Sequence, residues 1–301
     1  MPDAPRRIHF VADRGDARLR LDQVLVRRVT AVTRMSRSRA QAWIETGAVQ
    51  VDGRPATRPS TRVREGATVA LDMPASAELR QQPAPEDTPL DVLYEDAHLL
   101  VVNKPPGAVV HPSYKNAAGT ILNAVLGRVR DRPGVRPGIL TRLDRETSGV
   151  MLVALTAGVH ARLQRSAVRK EYLAVVAGTP KPPRGTIELA LGRDAHDRRR
   201  VAVADDGLPS VTRYDAIASR DGRSLVRCEL VTGRTHQIRV HLAARGWPIV
   251  GDAVYGVRDE RITRVALHAA RIALDHPVTG AALDVRAPLP ADMKVFGFDD
   301  L

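Results

Sequence analysis

The chain has 301 residues, 44% of them hydrophobic and only 3% aromatic, which is enough for a large and a small domain with cores of aliphatic side chains. Its net charge of +12 favours a polyanionic partner, and its single cysteine, Cys228, excludes an internal disulfide and argues against a cysteine-based metal site. It has no signal-peptide core and no apolar run of about 18 residues, so we expect a soluble cytoplasmic protein that does not enter a membrane.

The first predicted unit is a small αβ domain over residues 18–73. Apolar residues at helical spacing predict a helix between residues 18 and 29, and Ser36 would cap a second helix that Gly47 ends. Asp52-Gly53 predicts a hairpin turn, and a further strand, ATVAL, closes the unit. The unit has few acidic side chains to balance its arginines, which indicates a face that binds RNA. The arginines that we expect on this face are Arg34, Arg37, Arg39 and Arg54.

A linker is predicted over residues 74–90, which contain four prolines and few apolar side chains. The large domain follows over residues 91–297. Two short strands precede a loop at Pro105–Gly107, Thr120 and Thr156 can each cap a helix, and VMLVAL and EYLAVVAG are predicted strands. Because several strands have hairpin-like spacings, a purely parallel, doubly wound sheet is excluded.

Polar side chains concentrate in four segments of the large domain. His236 and His241 lie five residues apart, so they do not share a helix face, and no acidic residue lies between them; we therefore expect no metal site. The chain also lacks a phosphate-binding loop ending in GKS or GKT and a G-x-S-x-G motif, which argues against nucleotide hydrolysis and α/β-hydrolase chemistry. The four segments are Asn103–Ser113, Gly138–Ala154, Val168–Gly178 and Leu230–Gly256.

Asp144 lies between Arg142 and Arg145 in the stretch GILTRLDRETSGVMLVA. Nearby cations keep a carboxylate ionised, and an ionised carboxylate is a nucleophile rather than an acid. Asp144 is therefore a candidate for nucleophilic or electrostatic catalysis at a sugar carbon, with arginines holding a polynucleotide backbone. The alternative is an Asp–Arg pair that only organises its own loop, and the local pattern leaves both interpretations open.

The same stretch resembles the signature of a known family. Arg142-Leu143-Asp144, followed by Thr147-Ser148-Gly149, is similar to the signature of the RluA-type RNA pseudouridine synthases. Further segments resemble the other motifs of that family, in its order: Lys104–Gly107 with His111-Pro112, Lys170–Ala174, Gly192–Asp194, Thr232–Arg239 and Pro248–Asp252. The N-terminal unit resembles the RNA-binding domain named after ribosomal protein S-four, through Arg20–Asp22, Ser36–Ser38 and Gly47–Val49.

The resemblance implies an α+β fold in which a mixed, largely antiparallel sheet with flanking helices forms a central cleft. It implies that Asp144 is the catalytic aspartate, that Arg234 pairs with it and that Tyr172 stacks on the flipped base, without a metal or a cofactor. One departure is Thr141, which stands where the family usually has histidine. The other side chains that the resemblance implies as RNA contacts are Arg142, Lys104, His111, Lys170, Arg193, His236, Gln237 and Arg239.

We therefore predict an isomerase that converts specific uridines to pseudouridine in large-subunit ribosomal RNA, acting as a monomer on structured RNA. The alternatives are a transfer-RNA pseudouridine synthase, a non-catalytic RNA-binding factor for ribosome assembly, and a DNA-binding regulator. No pattern in the sequence identifies the target uridine.

Overall fold

A computed structural model describes residues 7–29, 35–73, 83–112, 116–194, 196–197 and 200–298. The chain divides into two units, Met1–Gln82 and Pro83–Leu301. Residues 83–90 do not form the predicted linker, because they are hydrogen-bonded to the large unit. The Glu86 amide donates to the Asn123 carbonyl at 3.0 Å, and the Asn123 side chain donates to the Ala84 carbonyl at 2.8 Å. The remainder of the predicted linker, residues 74–82, lies outside the described residues.

The described part of the small unit contains four strands and two helices. Its sheet has the order β1-β4-β2-β3, and every neighbouring pair of strands is antiparallel. Both helices, the hairpin and the closing strand confirm the sequence predictions, whereas β1 is a strand that the sequence does not predict, and it lies before residue 18. The elements are β1 (Arg7–Val11), α1 (Leu21–Val29), α2 (Arg37–Glu45), β2 (Val49–Val51), β3 (Arg54–Pro55) and β4 (Thr68–Asp72).

Local side chains determine where these elements begin and end. The Ser36 hydroxyl accepts a hydrogen bond from the Arg39 amide at 3.2 Å and caps α2, and Gly47 follows the helix with a left-handed φ of +78°. Asp52 and Gly53 both have positive φ, as a two-residue hairpin turn requires. The apolar face of α1 is fully buried in one core with α2 and the sheet.

The described part of the large unit contains twelve strands and four helices. None of the helices in the described chain combines the length and the apolar character that a transmembrane span requires. The elements are β5 (Val92–Glu95), β6 (Leu99–Lys104), α3 (Ile121–Arg128), β7 (Gly138–Ile139), β8 (Ser148–Ala154), α4 (Ala157–Leu163), β9 (Arg169–Ala177), β10 (Arg184–Glu188), β11 (Leu191–Arg193), β12 (Val201–Val203), β13 (Val211–Arg220), β14 (Arg223–Leu230), α5 (Gln237–Ala244), β15 (Leu267–Asp275), β16 (Ala282–Arg286) and α6 (Ala291–Lys294).

Ten of these strands, counted over the described residues, form one sheet. The main order is β10-β13-β14-β9-β15-β8-β6-β5, while β16 pairs with β15 and β7 pairs with β8. The pair of β15 with β8 is parallel and the other pairs are antiparallel, so the predicted mixed, largely antiparallel sheet of an α+β fold is confirmed. β11 and β12 form a separate two-stranded ribbon.

The central strands are buried on both faces, which explains their nearly unbroken apolar sequences. Leu100 and Met151 belong to a core on one face, which we call the front core, and Leu99 and Leu152 belong to the back core on the opposite face. All seven residues of β8 are buried. Tyr172 also belongs to the front core, so the polar segments of interest gather on that face of the sheet.

The parallel pairing of β8 with β15 requires a glycine at one position. Gly149 lies opposite Ala269, and a Cβ added to Gly149 would lie 2.2 Å from the Ala269 carbonyl oxygen. Gly149 also has a φ of +111°, which side chains with a Cβ rarely adopt. The strand that follows the Asp144 loop can approach β15 only because this residue has no side chain.

We expect Gly149→Ala to lower the free energy of unfolding by more than about 2 kcal/mol, because the methyl group clashes with backbone and the φ is strained. Gly158→Ala is the matched control, since nothing lies within 4 Å of its added Cβ on α4. The control should leave the stability unchanged or raise it by up to about 1 kcal/mol. Urea denaturation of both variants measures the difference, and equal stabilities would contradict the tight crossing.

Candidate functional site

A cavity of about 450 Å³ opens on the front-core face of the sheet, beside Asp144. All four polar segments contribute to its walls, so the fold brings together side chains that are far apart in the sequence. The polar residues that line the cavity include His111, Thr141, Arg142, Asp144, Lys170, Tyr172, Arg234, His236, Gln237 and Arg239.

The Asp144 carboxylate reaches this cavity from the loop between β7 and β8, and 29% of its side chain is exposed. Arg239 Nη1 donates to Asp144 Oδ2 at 3.1 Å, and His236 Nε2 lies 3.7 Å from the same oxygen. Among the described residues, no group donates to Oδ1 of Asp144. Within the part of the chain that the structure describes, one carboxylate oxygen is thus held and the other is available to a ligand.

The ion pair predicted for Arg234 is made by Arg239 instead. Arg239 lies in the first turn of α5 and its side chain is buried, so it passes beneath the cavity to Asp144. Arg234 lies in the exposed turn before the helix and lines the cavity without an ion pair to Asp144. Only four residues lie between the two arginines, and the start of the helix at Gln237 places Arg239 in α5 and Arg234 before it.

Arg239 is itself held by a buried carboxylate. Its Nε and Nη2 donate to the two oxygens of Asp252, both at 2.7 Å. The Asp252 side chain is fully buried and also accepts from the amides of Val254 and Tyr255. Burial alone would raise the pKa of Asp252, but the Arg239 guanidinium and these amides hold it below its ordinary value. Both ions therefore stay charged, and the direction of Arg239 is fixed.

Tyr172 and Lys170 lie two residues apart on β9, so both side chains face the cavity. Tyr172 is 7% exposed and packs in the front core. Burial, and then the negative charge of Asp144, raise the pKa of its hydroxyl above the ordinary value. The phenol is therefore protonated at neutral pH and offers a flat apolar ring with one O–H donor to a ligand.

Lys104 does not reach the cavity, contrary to its predicted role as an RNA contact. The side chain is fully buried, and its ammonium donates to three backbone carbonyls: Pro105 at 2.7 Å, Ala108 at 3.0 Å and Arg145 at 2.8 Å. Burial lowers the pKa of Lys104 to about 8. Since all three N–H groups are used, Lys104 ties the Pro105–Ala108 loop to the loop of Asp144 rather than binding phosphate.

Gln237 and Arg193 also differ from their predicted roles as RNA contacts. Gln237 lines the cavity, but its Oε1 accepts from the Arg234 amide and the Thr232 hydroxyl, and its Nε2 donates to two groups of β13. Its hydrogen-bonding capacity is therefore used in fixing the turn before α5. Arg193 lies exposed on β11 and does not line the cavity.

Three cationic side chains at the cavity have no carboxylate partner among the described residues: Arg142, Lys170 and Arg234. Arg142 is exposed, and burial lowers the pKa of Lys170 below its ordinary value. His111 lies beside them, and burial followed by the charge of Arg142 lowers the pKa of its imidazole. The cavity is thus bordered by cations that are suited to phosphate.

In the small unit, a buried carboxylate organises part of the arginine-rich surface. Asp22 accepts hydrogen bonds from Arg20, Arg37 and Gln41. Burial opposes ionisation, yet these donors hold the pKa of Asp22 well below its ordinary value. Arg37, a predicted RNA contact, is therefore held through its Nε by Asp22, while 54% of its side chain remains exposed.

The other arginines predicted to bind RNA in this unit occupy different settings. The Arg39 guanidinium lies 5.0 Å from the centre of the Trp43 ring, which is a cation–π contact. Arg54 is exposed on β3, next to the hairpin turn. Arg34 lies outside the described residues. Arg37, Arg39 and Arg54 therefore remain candidates for RNA contacts.

Thr141 has a structural use that the sequence alone does not reveal. Its hydroxyl accepts a hydrogen bond from the Leu152 amide at 2.8 Å, and the side chain is buried beside the cavity. It thus satisfies a backbone donor of β8 at the point where β7 ends. Thr141 stands where the family usually has histidine, three residues before Asp144. Its hydroxyl is used in a hydrogen bond to the backbone.

Three residues that support the site have no role predicted from the sequence: Asp252, Tyr255 and Arg264. Arg264 Nη1 donates to the Glu146 carbonyl at 3.2 Å, while Nε and Nη2 bind both oxygens of Asp292 on α6. The loop of Asp144 is therefore also held from the C-terminal helix. Asp252 lies in a segment that resembles a family motif, but no local pattern marks Arg264, because its partners lie 28 and 118 residues away.

Comparisons with known proteins support one family. The family model described as RNA pseudouridylate synthase matches residues 98–244, and that of the S4 domain matches residues 19–69. The chain is 39% identical over 292 residues to the ribosomal large subunit pseudouridine synthase D of Pseudomonas aeruginosa, covering 91% of this chain and 89% of the relative. It is 39% identical over 267 residues to the uncharacterized RNA pseudouridine synthase YlyB of Bacillus subtilis, covering 86% and 87%.

The fold is also similar to that of solved structures. Human RNA Pseudouridylate Synthase Domain Containing 1 is 29% identical, with a TM-score of 0.55 over 69% of this chain and 86% of that one.

We expect Lys104→Met to lower the free energy of unfolding by roughly 3 kcal/mol or more, because three backbone carbonyls lose the buried ammonium that donates to them. Lys170→Met is the matched control. The Lys170 side chain lines the cavity, and its ammonium has no hydrogen-bond partner among the described residues. Denaturant unfolding compares the two. If Lys104 bound phosphate instead, its replacement would leave the stability near that of the control.

Proposed function

The chain belongs to the RNA pseudouridine synthases, isomerases that convert uridine to pseudouridine, and we propose that its substrate is large-subunit ribosomal RNA. The relatives named ribosomal large subunit pseudouridine synthase D support this target, as do the S4 domain match at residues 19–69 and the net charge of +12. We further propose that the protein acts as a cytoplasmic monomer, because folded RNA supplies the large partner surface. Transfer RNA is the other substrate that the experiment below distinguishes.

The observation that carries the mechanism is the asymmetry of the Asp144 carboxylate. Arg239 holds Oδ2, and Oδ1 is available beside Tyr172 in the same cavity. In the proposed reaction Oδ1 attacks C1′ of the target ribose, and the bond from C1′ to uracil N1 breaks with its electron pair leaving on the base. The uracil anion rotates over Tyr172, its C5 attacks C1′, and Asp144 departs with its own pair.

The proton count closes without a cofactor. After C5 has bonded to C1′, it loses its proton and N1 gains one, so product and substrate are isomers. The Tyr172 hydroxyl, which its environment keeps protonated, is placed to assist this proton transfer. Arg239 donates to the Asp144 carboxylate, so it stabilises the negative charge before Oδ1 attacks and again after Asp144 departs.

The target nucleotide must leave its helix to enter a cavity of about 450 Å³. Extrusion of a base costs a few kcal/mol, which contacts in the flipped state must offset. The ring of Tyr172 supplies stacking, and Arg142, Lys170 and Arg234 supply positive charge for the phosphates that flank the flipped nucleotide. Arg234 thus has a proposed role in binding the backbone instead of orienting Asp144.

Asp144→Asn tests the proposal, with Glu146→Gln as a control from the same loop. Pseudouridines are mapped in ribosomal and transfer RNA from a strain that lacks the protein and carries each variant. We expect wild type and Glu146→Gln to restore the missing ribosomal sites and Asp144→Asn to restore none, since its amide cannot act as the nucleophile. Purified Asp144→Asn should release tritium from uridine C5 at least about a thousandfold more slowly than wild type.

Full restoration by Asp144→Asn would refute the mechanism. Sites lost only from transfer RNA would refute the proposed substrate. An intact ribosomal map in the deletion strain, together with no tritium release by purified wild type, would favour a non-catalytic assembly factor.

A further inference from the structure

The two groups that hold Asp144 Oδ2 meet at a third side chain, that of Tyr255. The Tyr255 hydroxyl lies 2.9 Å from His236 Nδ1. The Arg239 guanidinium lies 5.0 Å from the centre of the Tyr255 ring. Tyr255 does not line the cavity, yet it contacts both residues that approach the catalytic carboxylate.

The hydrogen bonds at the Tyr255 hydroxyl favour one arrangement of hydrogen atoms. The Val201 amide at the start of β12 donates to the Tyr255 oxygen at 2.9 Å. Within the described chain, the acceptor in reach of the Tyr255 O–H is His236 Nδ1. Donation from Tyr255 to Nδ1 uses the hydroxyl hydrogen at this acceptor, and Nδ1 then carries no proton. In a neutral imidazole the proton then lies on Nε2, the nitrogen that is directed at Asp144.

The electrostatics favour the same tautomer. A proton on Nδ1 would turn the lone pair of Nε2 towards the Asp144 carboxylate, 3.7 Å away, which is repulsive. Burial lowers the pKa of His236 even though the charge of Asp144 opposes the change, so the ring is neutral at physiological pH. The Nε2–H tautomer instead presents a donor to the carboxylate.

The backbone of His236 has a strained, left-handed conformation where its ring is directed at Asp144. His236 precedes α5 with φ +56° and ψ +15°, a left-handed conformation, and its side chain does not cap the helix. A residue with a Cβ is less stable in this region than in the right-handed one. Strain of this kind persists where the surrounding structure fixes it, and here the bond to Tyr255 fixes the ring.

We propose that Tyr255 is a positioning residue: it fixes the tautomer of His236, so that His236 Nε2–H and Arg239 Nη1 together hold Asp144 Oδ2 and direct Oδ1 at the ribose. The inference rests on the proposed function. The distance of 3.7 Å exceeds a hydrogen bond, and such contacts tighten when substrate closes the site. The same hydroxyl binds β12, so the β11–β12 ribbon is anchored to the groups around Asp144.

A direct test reads the tautomer by ¹⁵N NMR of protein labelled at the histidine ring nitrogens, with His236→Gln identifying the signals. We expect wild-type His236 to show protonated Nε2 and unprotonated Nδ1. Tyr255→Phe, which retains the ring beside Arg239, should shift His236 towards a mixture of tautomers. Protonated Nδ1 in the wild type, as the other tautomer or as imidazolium, would overturn the inference, as would an unchanged spectrum in Tyr255→Phe.

Kinetics separate positioning from a merely structural role. Tyr255→Phe should lower kcat for pseudouridine formation about tenfold with little change in KM, and it should cause no further loss when it is added to His236→Gln. Tyr94→Phe is the matched control, since it also removes a hydrogen-bonded hydroxyl, one that binds Asp96, and it should keep the wild-type kcat. A wild-type kcat in Tyr255→Phe would overturn only this inference, whereas an active Asp144→Asn would overturn the proposed function itself.

Discussion

The site depends on one buried guanidinium, that of Arg239, which lies between two carboxylates. Burying a lone cation is costly, and the two hydrogen bonds from Arg239 to Asp252, both at 2.7 Å, make the burial possible. Asp252 is in turn fixed by two backbone amides. Arg239 therefore cannot rotate to follow Asp144, and Asp144 must take its direction from Arg239. A nucleophile that is oriented before the substrate arrives needs no reorganisation during the reaction.

The loop that carries Asp144 is fixed by the same means, with buried cations on backbone oxygens. Lys104 binds the Arg145 carbonyl from one side, and Arg264 binds the Glu146 carbonyl from the other, with Asp292 behind it. Part of the positive charge of the chain thus has a structural use inside the large unit. The net charge of +12 identifies the class of partner, but it does not identify which cations the partner meets.

Interactions between near neighbours in the sequence could be predicted, because their physical causes are local. The Ser36 and Thr120 caps, the Asp52–Gly53 turn and the buried strand β8 follow from side-chain chemistry within a few residues. Three of the four polar segments also meet at one cavity, as the roles predicted for Asp144, Tyr172 and Arg234 require, and the fourth segment lines it too. That prediction came from the ordered family resemblance, because local patterns alone left Asp144 either catalytic or merely structural.

The errors concern residues whose role depends on distant partners. The sequence alone does not distinguish Arg234 from Arg239 as the partner of Asp144. The start of α5 at Gln237 places Arg239 on the helix, from which it donates to Asp144. Lys104 looks like a phosphate ligand until three carbonyls from two loops surround it. Residues 83–90 have the composition of a linker, yet Glu86 and Ala84 are hydrogen-bonded to α3. Two of the Lys104 partners are near neighbours in the sequence, but Arg145 is 41 residues away, and the partners of Ala84, Glu86 and Arg239 are also distant.

We expect Asp252 to act on the reaction only through Arg239 and its hold on Asp144. A double-mutant cycle measures it directly, using single-turnover rates of pseudouridine formation for Asp252→Asn, Arg239→Lys and the double variant. We expect Asp252→Asn to slow the reaction about tenfold or more. The double variant should be no slower than Arg239→Lys alone. Rate losses that multiply in the double variant, or a wild-type rate for Asp252→Asn, would contradict it.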